Sequence, residues 1–303
     1  MVCAMTAEAT ARALLARAER RTFVLPGRGV EIAALDWGGD GPLVLLHHAN
    51  GFCKGVWALV ADALRARRHV IAMDARGHGD SSKPEGADAY AWHHFAADVA
   101  AVADVLAAQH GRAIGLGIGN SFGGTSLVGA AARRPELFER LLLVDPVIPP
   151  PPDLSLTVQH SPHMRRLVDG ARRRRHHWPS RAAARAWCAE RSLFRGWLPE
   201  AIELYLLDGM RERADGSLEL KCPGAIEAAI FAAGGGLDLF SLARRVRIPT
   251  RFLWAKHGDF SLALYEAVAA SMQAAQVETV DSGHLVPMEH PEIVIAAADL
   301  LNS

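Results

Sequence analysis

One serine and one histidine in this chain sit where acyl-transfer chemistry would need them. Gly119-Asn120-Ser121-Phe122-Gly123 is a G-x-S-x-G run between an apolar segment and an Ala/Val-rich helical pattern. In that setting the serine occupies a strained strand-to-helix turn. The flanking glycines avoid collision with neighbouring backbone, and the hydroxyl projects above the sheet. The N–H of Phe122, at the helix start, would face a developing oxyanion. Such a five-residue pattern also arises by chance, as a glycine-rich turn with an idle serine. A serine hydroxyl is a poor nucleophile without a base. Ser282-Gly283-His284 follows the last apolar extended run and precedes Pro291 and a final helix. His284 is therefore the candidate base, with a plain surface-loop histidine as the alternative. His290 sits beside the helix start and reads as structural.

Other histidines come in pairs: His47-His48, His93-His94 and His176-His177. Adjacent residues at a strand end point to opposite faces, so they rarely ligate one ion together. The other two pairs lack a matching set of carboxylates or cysteines in the sequence. No metal and no cofactor are expected.

The elements that must position Ser121 and His284 follow an alternating rhythm. Pro42 to His47, His69 to Met73, Ala113 to Ile118, Leu141 to Val144, Arg251 to Ala255 and Val277 to Val280 read as strands. Tyr90 to Gln109, Phe122 to Arg133, the stretch near Leu262 to Ala274 and the run from Pro291 read as helices. Short apolar strands alternating with helices imply an α/β fold, a mostly parallel central sheet with helices on both faces. The rhythm breaks at Pro149 to Pro152, four prolines that fit neither a central strand nor a helix interior. Helical patterns then run from about Ser161 to Phe231, and Gly234-Gly235-Gly236 punctuates the return. The expected organisation is a core of residues 1–152 and 234–303 with an inserted helical cap at 153–233. Ala214 to Ser217 reads as a turn, followed by a short extended Leu218 to Leu220.

The 303 residues carry 33 Lys+Arg against 33 Asp+Glu, which argues against a general nucleic-acid partner, since phosphate contacts need a basic excess. The four cysteines (Cys3, Cys53, Cys188 and Cys222) lie far apart without a CxxC pair, a pattern that suits a reduced cytoplasmic protein. The first 21 residues mix Arg and Glu without an uninterrupted apolar run, unlike a signal peptide. No window reaches the roughly 18–20 apolar residues of a membrane span. A monomer or homodimer acting on a small molecule is expected.

Taken together, HHANGF, DARGHGDS, GNSFGG and SGHLVPMEHPE resemble the α/β-hydrolase superfamily over essentially the whole chain except the cap. The resemblance implies that the loop after His47-His48 donates a second oxyanion N–H, from Asn50 by position, with Gly51 or Phe52 as fallback. The sequence departs from the usual His-Gly here, with His48-Ala49 in its place. DARGHGDS, despite Asp74, Arg76 and His78, is implied to be a structural loop. Trp57 resembles a tryptophan frequent at that spacing, read as core first and pocket wall second. Phe52 and Trp57 are the candidate substrate-binding residues.

A triad needs a carboxylate to orient the imidazole. In the family it commonly follows the seventh strand, where this chain has Gly258, with Asp259 one place late. A minority carries it after the sixth strand, where Asp145 ends LLLVD. The displacement of Asp259 favours Asp145, and Asp259 stays as the alternative acid. Asp281 is too close to His284 in sequence to serve.

A cap in proteins of this type covers the carboxyl ends of the strands. Between His160 and Arg195 it carries ten arginines against two acids, Asp169 and Glu190. They form either a solvated basic face or a site where one arginine meets a substrate anion. The reading is a serine hydrolase cleaving carboxylic esters of small to medium groups through an acyl-enzyme. Carbon–carbon bond hydrolysis, haloperoxidase or perhydrolase activity and a ligand-receptor role are the rivals. Dehalogenase and epoxide hydrolase readings need an Asp where Ser121 stands.

Overall fold

Successive side chains along a strand point to opposite faces, and here both faces are apolar. The computed structural model describes residues 5–86, 88–149, 161–234 and 236–301. In β3 (Leu43–His47), Val44 and Leu46 join one buried cluster while Leu43 and Leu45 join another across the sheet. β4 (His69–Met73) divides Val70 and Ala72 from Ile71 and Met73 in the same way. So does β6 (Leu141–Val144), with Leu142 and Val144 opposite Leu141 and Leu143. Strands covered on both sides read as continuous apolar runs, which is why these three stand out in the sequence.

The covering helices sort by face. α1 (Ala7–Ala16), α2 (Ala58–Leu64) and the C-terminal α11 (Pro291–Leu300) give Leu14, Leu64 and Val294 to the first cluster. α3 (Trp92–His110), α4 (Phe122–Arg133), α9 (Leu239–Ala243) and α10 (Leu262–Ala270) give Val102, Leu127, Leu239 and Val268 to the second. With β1 (Glu19–Leu25), β2 (Val30–Gly38), β5 (Leu116–Asn120), β10 (Thr250–Ala255) and β11 (Ala275–Val280), the strands form one eight-stranded sheet. Its order is β1-β2-β4-β3-β5-β6-β10-β11. From β4 onward every neighbouring pair is parallel. β1 and β2 are antiparallel, as are β2 and β4.

That β1–β2 hairpin is an addition to the strands expected from sequence. β5 also starts later than expected: it runs Leu116–Asn120, and Ile114 makes only an isolated bridge to Phe138.

Between β6 and β10 the chain leaves the sheet. Pro150 to Pro152 and the expected boundary at 152–153 lie outside the described residues. The path resumes with α5 (Pro162–Arg172), whose N-cap Ser161 accepts the N–H of Met164 at 3.2 Å and whose first turn carries Pro162. β7 (His177–Trp178), α6 (Arg181–Ala189), α7 (Pro199–Asp208), β8 (Met210–Glu212), β9 (Leu218–Leu220) and α8 (Gly224–Ala232) follow. The segment departs from the helical cap expected of it, and its strands go beyond the short extended run at Leu218 to Leu220. β7, β9 and β8 pair into a small antiparallel sheet. The Ala214–Ser217 turn joins two of these strands, and the Asp215 carboxylate accepts the N–H and hydroxyl of Ser217.

Two things fasten this segment to the sheet. Trp178, Phe194, Trp197, Leu204 and Tyr205 belong to the same apolar cluster as Phe52, Trp57, Val44 and Leu46. Lys54, 1% exposed, places its ammonium 2.7 Å from Asp74, 2.9 Å from Asp80 and 3.2 Å from Asp208 at the end of α7. Lys221 meets Asp80 at 2.7 Å, and Arg20 lies 3.5 Å from Asp208. Burial alone would push the Lys54 ammonium toward neutrality, but the carboxylates of Asp74, Asp208 and Asp80 outweigh it and raise its pKa. No helix among the described residues is long and apolar enough to cross a membrane.

Candidate active site

Gly119, Gly123 and Gly124 approach other backbone so closely that side chains are excluded at those three positions. A Cβ at Gly119 would stand 2.6 Å from the Gly123 carbonyl carbon, and one at Gly123 would stand 2.4 Å from the His47 oxygen. Between them the chain turns from β5 into α4 through Ser121, at φ 56° and ψ −127°. A non-glycine residue in that region is strained, a cost that persists only where surrounding contacts impose it. The turn leaves the N–H of Phe122 at the first position of α4, where no intrahelical acceptor exists.

Asn120, inside the motif, is 1% exposed and uses both amide hydrogens. Nδ2 donates to the Val144 carbonyl at 2.9 Å and to the His284 carbonyl at 3.1 Å. One side chain thus ties the serine turn to the end of β6 and to the histidine loop. Glu289 holds that loop from the other side, accepting the N–H of Gly283 at 2.8 Å and of Leu285 at 3.3 Å.

These supports bring Ser121, His284 and Asp145 into one hydrogen-bonded row. His284 Nδ1 lies 2.6 Å from Asp145 Oδ2, and its Nε2 lies 2.8 Å from Ser121 Oγ. A carboxylate only accepts, so Nδ1 carries the proton and Nε2 turns its lone pair to the serine hydroxyl. Asp145 is fully buried at φ 41°. Its Oδ1 accepts the Ala255 N–H and the Tyr265 hydroxyl, each at 3.0 Å. Burial and the neighbouring Asp145 charge push the Tyr265 phenol far up, which keeps it a donor. Sequence reasoning did not reach Asn120, Glu289 or Tyr265 as supports; all three act on partners that only the fold brings near.

Asp259 lines the same cavity, but among the described residues no hydrogen bond or ion pair joins it to His284. Asp281 pairs with His257 at 2.7 Å and His290 with Glu292 at 3.1 Å, both at the surface.

The loop after β3 settles which backbone donors are free. Gly51 N–H donates to His78 Nε2 at 2.9 Å, and Phe52 N–H donates to the Ala49 oxygen at 3.2 Å. The two fallback donors are therefore occupied, while the N–H groups of Asn50 and Phe122 meet no acceptor among the described residues. Asn50, Phe122, Ser121 and His284 border one cavity of about 710 Å³. The Asn50 side chain holds the loop in place, donating to the Glu227 carbonyl at 3.1 Å.

His48 and His78 fix the loop from beneath. Each uses Nδ1 to donate to a carbonyl, of Ala49 at 2.8 Å and Arg76 at 3.0 Å, and Nε2 to accept a backbone N–H. Burial lowers His47, His48 and His78 to about 3, about 3 and about 4, so all three are neutral. With both ring nitrogens engaged, His48 and His78 have no lone pair to offer a metal. His93 and His94 do gain a nearby carboxylate, Asp88, contrary to the sequence reading. The three sit at the surface with ligand atoms within 4.8 Å of one another, but Arg28 already presents a cation to His94 Nδ1 at 3.3 Å.

DARGHGDS turns inward: Asp74 binds Lys54, and Arg76 pairs with Asp98 at 2.6 Å. Phe52 lines the cavity; Trp57 does not. Trp57 is completely buried in the apolar cluster, in line with its reading as core first, and this corrects its place among the substrate-binding candidates. Its spacing from His48 is one that a packed position satisfies equally well.

A family model described as the alpha/beta hydrolase family matches residues 43–297. The chain belongs to the alpha/beta hydrolase family. Within that family it is 35% identical over 107 residues to 2-(acetamidomethylene)succinate hydrolase of Mesorhizobium japonicum, covering 35% of this chain and 36% of that protein. It is 34% identical over 115 residues to the bifunctional esterase/perhydrolase DCH of Acinetobacter calcoaceticus, covering 37% and 40%. The chain thus matches well under half the length of these curated relatives. A crystal structure of E-2-(acetamidomethylene)succinate hydrolase superposes with TM-score 0.78 at 24% identity, over 94% of this chain and 99% of that one, a likeness of fold. In this α/β-hydrolase the row runs from the end of β6 rather than the end of β10.

Proposed function

We propose that this α/β-hydrolase cleaves carboxylic esters of small to medium acyl or alcohol groups through an acyl-enzyme. The observation that carries the reading is the row Asp145–His284–Ser121 opening into a cavity beside two unused backbone N–H groups. Ser121 Oγ attacks the ester carbonyl as Nε2 of His284 takes its proton. The N–H groups of Phe122 and Asn50 hold the oxyanion of the tetrahedral intermediate. Asp145 keeps the proton on Nδ1 and stabilises the imidazolium that forms. The imidazolium gives its proton to the departing alcohol. Neutral His284 then takes a proton from water, which attacks the acyl-enzyme, and the imidazolium returns that proton to Ser121 Oγ as the bond to it breaks and the acid leaves. No metal or cofactor enters these steps.

The segment 153–233 is proposed to act as a lid that shapes the cavity, with Phe52 on its floor. The cavity volume falls in the range usual for small-molecule sites. The named perhydrolase activity of the Acinetobacter relative supports a second reading, in which peroxide replaces water as acceptor on the same acyl-enzyme.

The test is nitrophenolate release from p-nitrophenyl esters of increasing acyl length by wild type and Ser121→Ala. Turnover abolished by the substitution supports a serine esterase. Equal inertness of the two proteins overturns it.

A further inference from the structure

One face of α5 looks into the cavity, and its residues recur at helical spacing: His163, Arg166, Leu167, Gly170 and Ala171, with Arg174 following past its end. Arg173 and Arg175 just beyond it, and Arg191 after α6, line the same space. Against these five arginines stand two lining carboxylates, Glu227 and Asp259. Arg174 and Glu227 neutralise each other at 2.5 Å, and Arg174 also donates to the Tyr205 hydroxyl at 2.6 Å. Arg175 is turned to the His177 carbonyl and stacked over Trp178, and Arg191 is stacked over Trp187.

Arg166 and Arg173 are different. Neither forms an ion pair with a described residue, both are exposed, and they line the cavity seven residues apart, Arg166 on α5 and Arg173 as its C-cap. Seven residues are two turns, about 10 Å along the axis. Gly170 lies between them, and no described residue comes within 4 Å of where its Cβ would be. The helix therefore presents an open notch flanked by two uncommitted guanidinium groups, in the same cavity as Ser121 and His284.

We infer that this notch receives a carboxylate or phosphate carried by the substrate away from the bond that is cleaved, held by Arg166 and Arg173. The inference rests on the proposed hydrolase reading and adds a substrate class to it: esters or thioesters with one anionic end. A guanidinium fork matches either oxyanion in two parallel hydrogen bonds. The remaining apolar lining, from Phe52, Trp92, Phe122 and Phe260, suits the uncharged middle of such a molecule.

Two matched pairs test it. p-Nitrophenyl hemiglutarate and its methyl ester differ only in a carboxylate on the acyl side. Butyryl-coenzyme A carries on its leaving side the phosphates, with the adenosine and pantoyl parts, that butyryl-N-acetylcysteamine lacks. In at least one pair the charged member should show a kcat/KM about tenfold higher at low salt, with the ratio shrinking as salt is added. The Arg166→Gln/Arg173→Gln double variant should abolish the preference. Arg245→Gln/Arg247→Gln, an equal charge change outside the cavity, should keep it. Which pair responds identifies the anion. Equal turnover within both pairs, or a preference that survives the double variant, overturns the inference. If no substrate turns over, the hydrolase reading fails. Calorimetric titration of glutarate and coenzyme A into Ser121→Ala then decides the notch by itself. Salt-sensitive binding lost in the double variant upholds it, and no binding of either overturns it.

Discussion

Replacing Asp145 by Asn keeps shape and removes one acceptor, which makes its effect calculable. The asparagine oxygen at Oδ1 keeps the Ala255 N–H and Tyr265 hydroxyl, both at 3.0 Å in the wild type. Its amide then stands where Oδ2 lay, 2.6 Å from His284 Nδ1, and two donors cannot share that gap. The imidazole answers by moving its proton to Nε2, which faces Ser121 and can no longer act as base. Flipping the amide would restore the right tautomer. Tyr265 has a second acceptor in the Pro146 carbonyl at 2.7 Å, but the buried Ala255 N–H would be orphaned at a cost of about 1–3 kcal/mol. That leaves the wrong tautomer ahead by about tenfold or more, and the flipped minority still lacks a charge to stabilise the imidazolium. A kcat loss of about 10⁴, roughly 5.5 kcal/mol, is expected. The assay is saturating nitrophenyl-ester turnover, with a thermal melt to show that the variant folds. Asp259→Asn should remain within a few-fold of wild type. A folded Asp145→Asn retaining more than a tenth of wild-type kcat, or an inactive Asp259→Asn, would refute the assignment.

Lys54→Met leaves Asp74 and Asp208 buried without their shared cation, so urea unfolding should show a loss of about 3–5 kcal/mol; a loss under 1 kcal/mol would mean that water or Lys221 replaces it. His47, His48 and His78 have folded pKa values depressed to about 3, about 3 and about 4, so the unfolded chain binds more protons below pH 6.5. Stability is therefore full above pH 6.5 and falls as pH drops toward 4, with a slope of up to about 4 kcal/mol per pH unit, three protons at 1.36 each; unfolding midpoints that stay flat from pH 6.5 to 5 contradict neutral buried rings. Gly51→Ala puts a Cβ at φ 84° and 2.6 Å from Glu227 Oε1, so it should cost about 1–3 kcal/mol and lower kcat more than it raises KM, read from steady-state kinetics and a denaturant curve.

Ser121 and His284 were legible because each lies in a local pattern whose neighbours, glycines on one side and a strand-loop-helix on the other, are themselves in the sequence. The parallel strands were legible because burial on both faces leaves unbroken apolar runs such as LVLLH and LLLV. The β1–β2 hairpin was not. β1 is an edge strand with only Phe23 and Leu25 buried, and its arginines mask the alternation. The Lys54 network was hidden for another reason: Asp74, Asp80 and Asp208 reach it from 20, 26 and 154 residues away. Trp57 shows that a spacing from His48 carries no statement of which way a ring faces.

The shared apolar cluster has a bearing on how the chain comes apart and on what can be cut from it. An insertion resting lightly on its sheet could be deleted, or could melt first, while the rest stayed whole. Here Trp57 and Phe52 on one side are sealed by Trp197, Leu204 and Tyr205 on the other, and Lys54 reaches across to Asp208. Peeling the segment away would wet that surface and part Asp208 from Lys54. The two parts are expected to unfold together, as one transition in a thermal melt. Loop grafts or truncations aimed at widening the cavity must keep α7 in place, whereas α5, which carries the arginines and is buried only at Ala171, can be redrawn with little debt to the core.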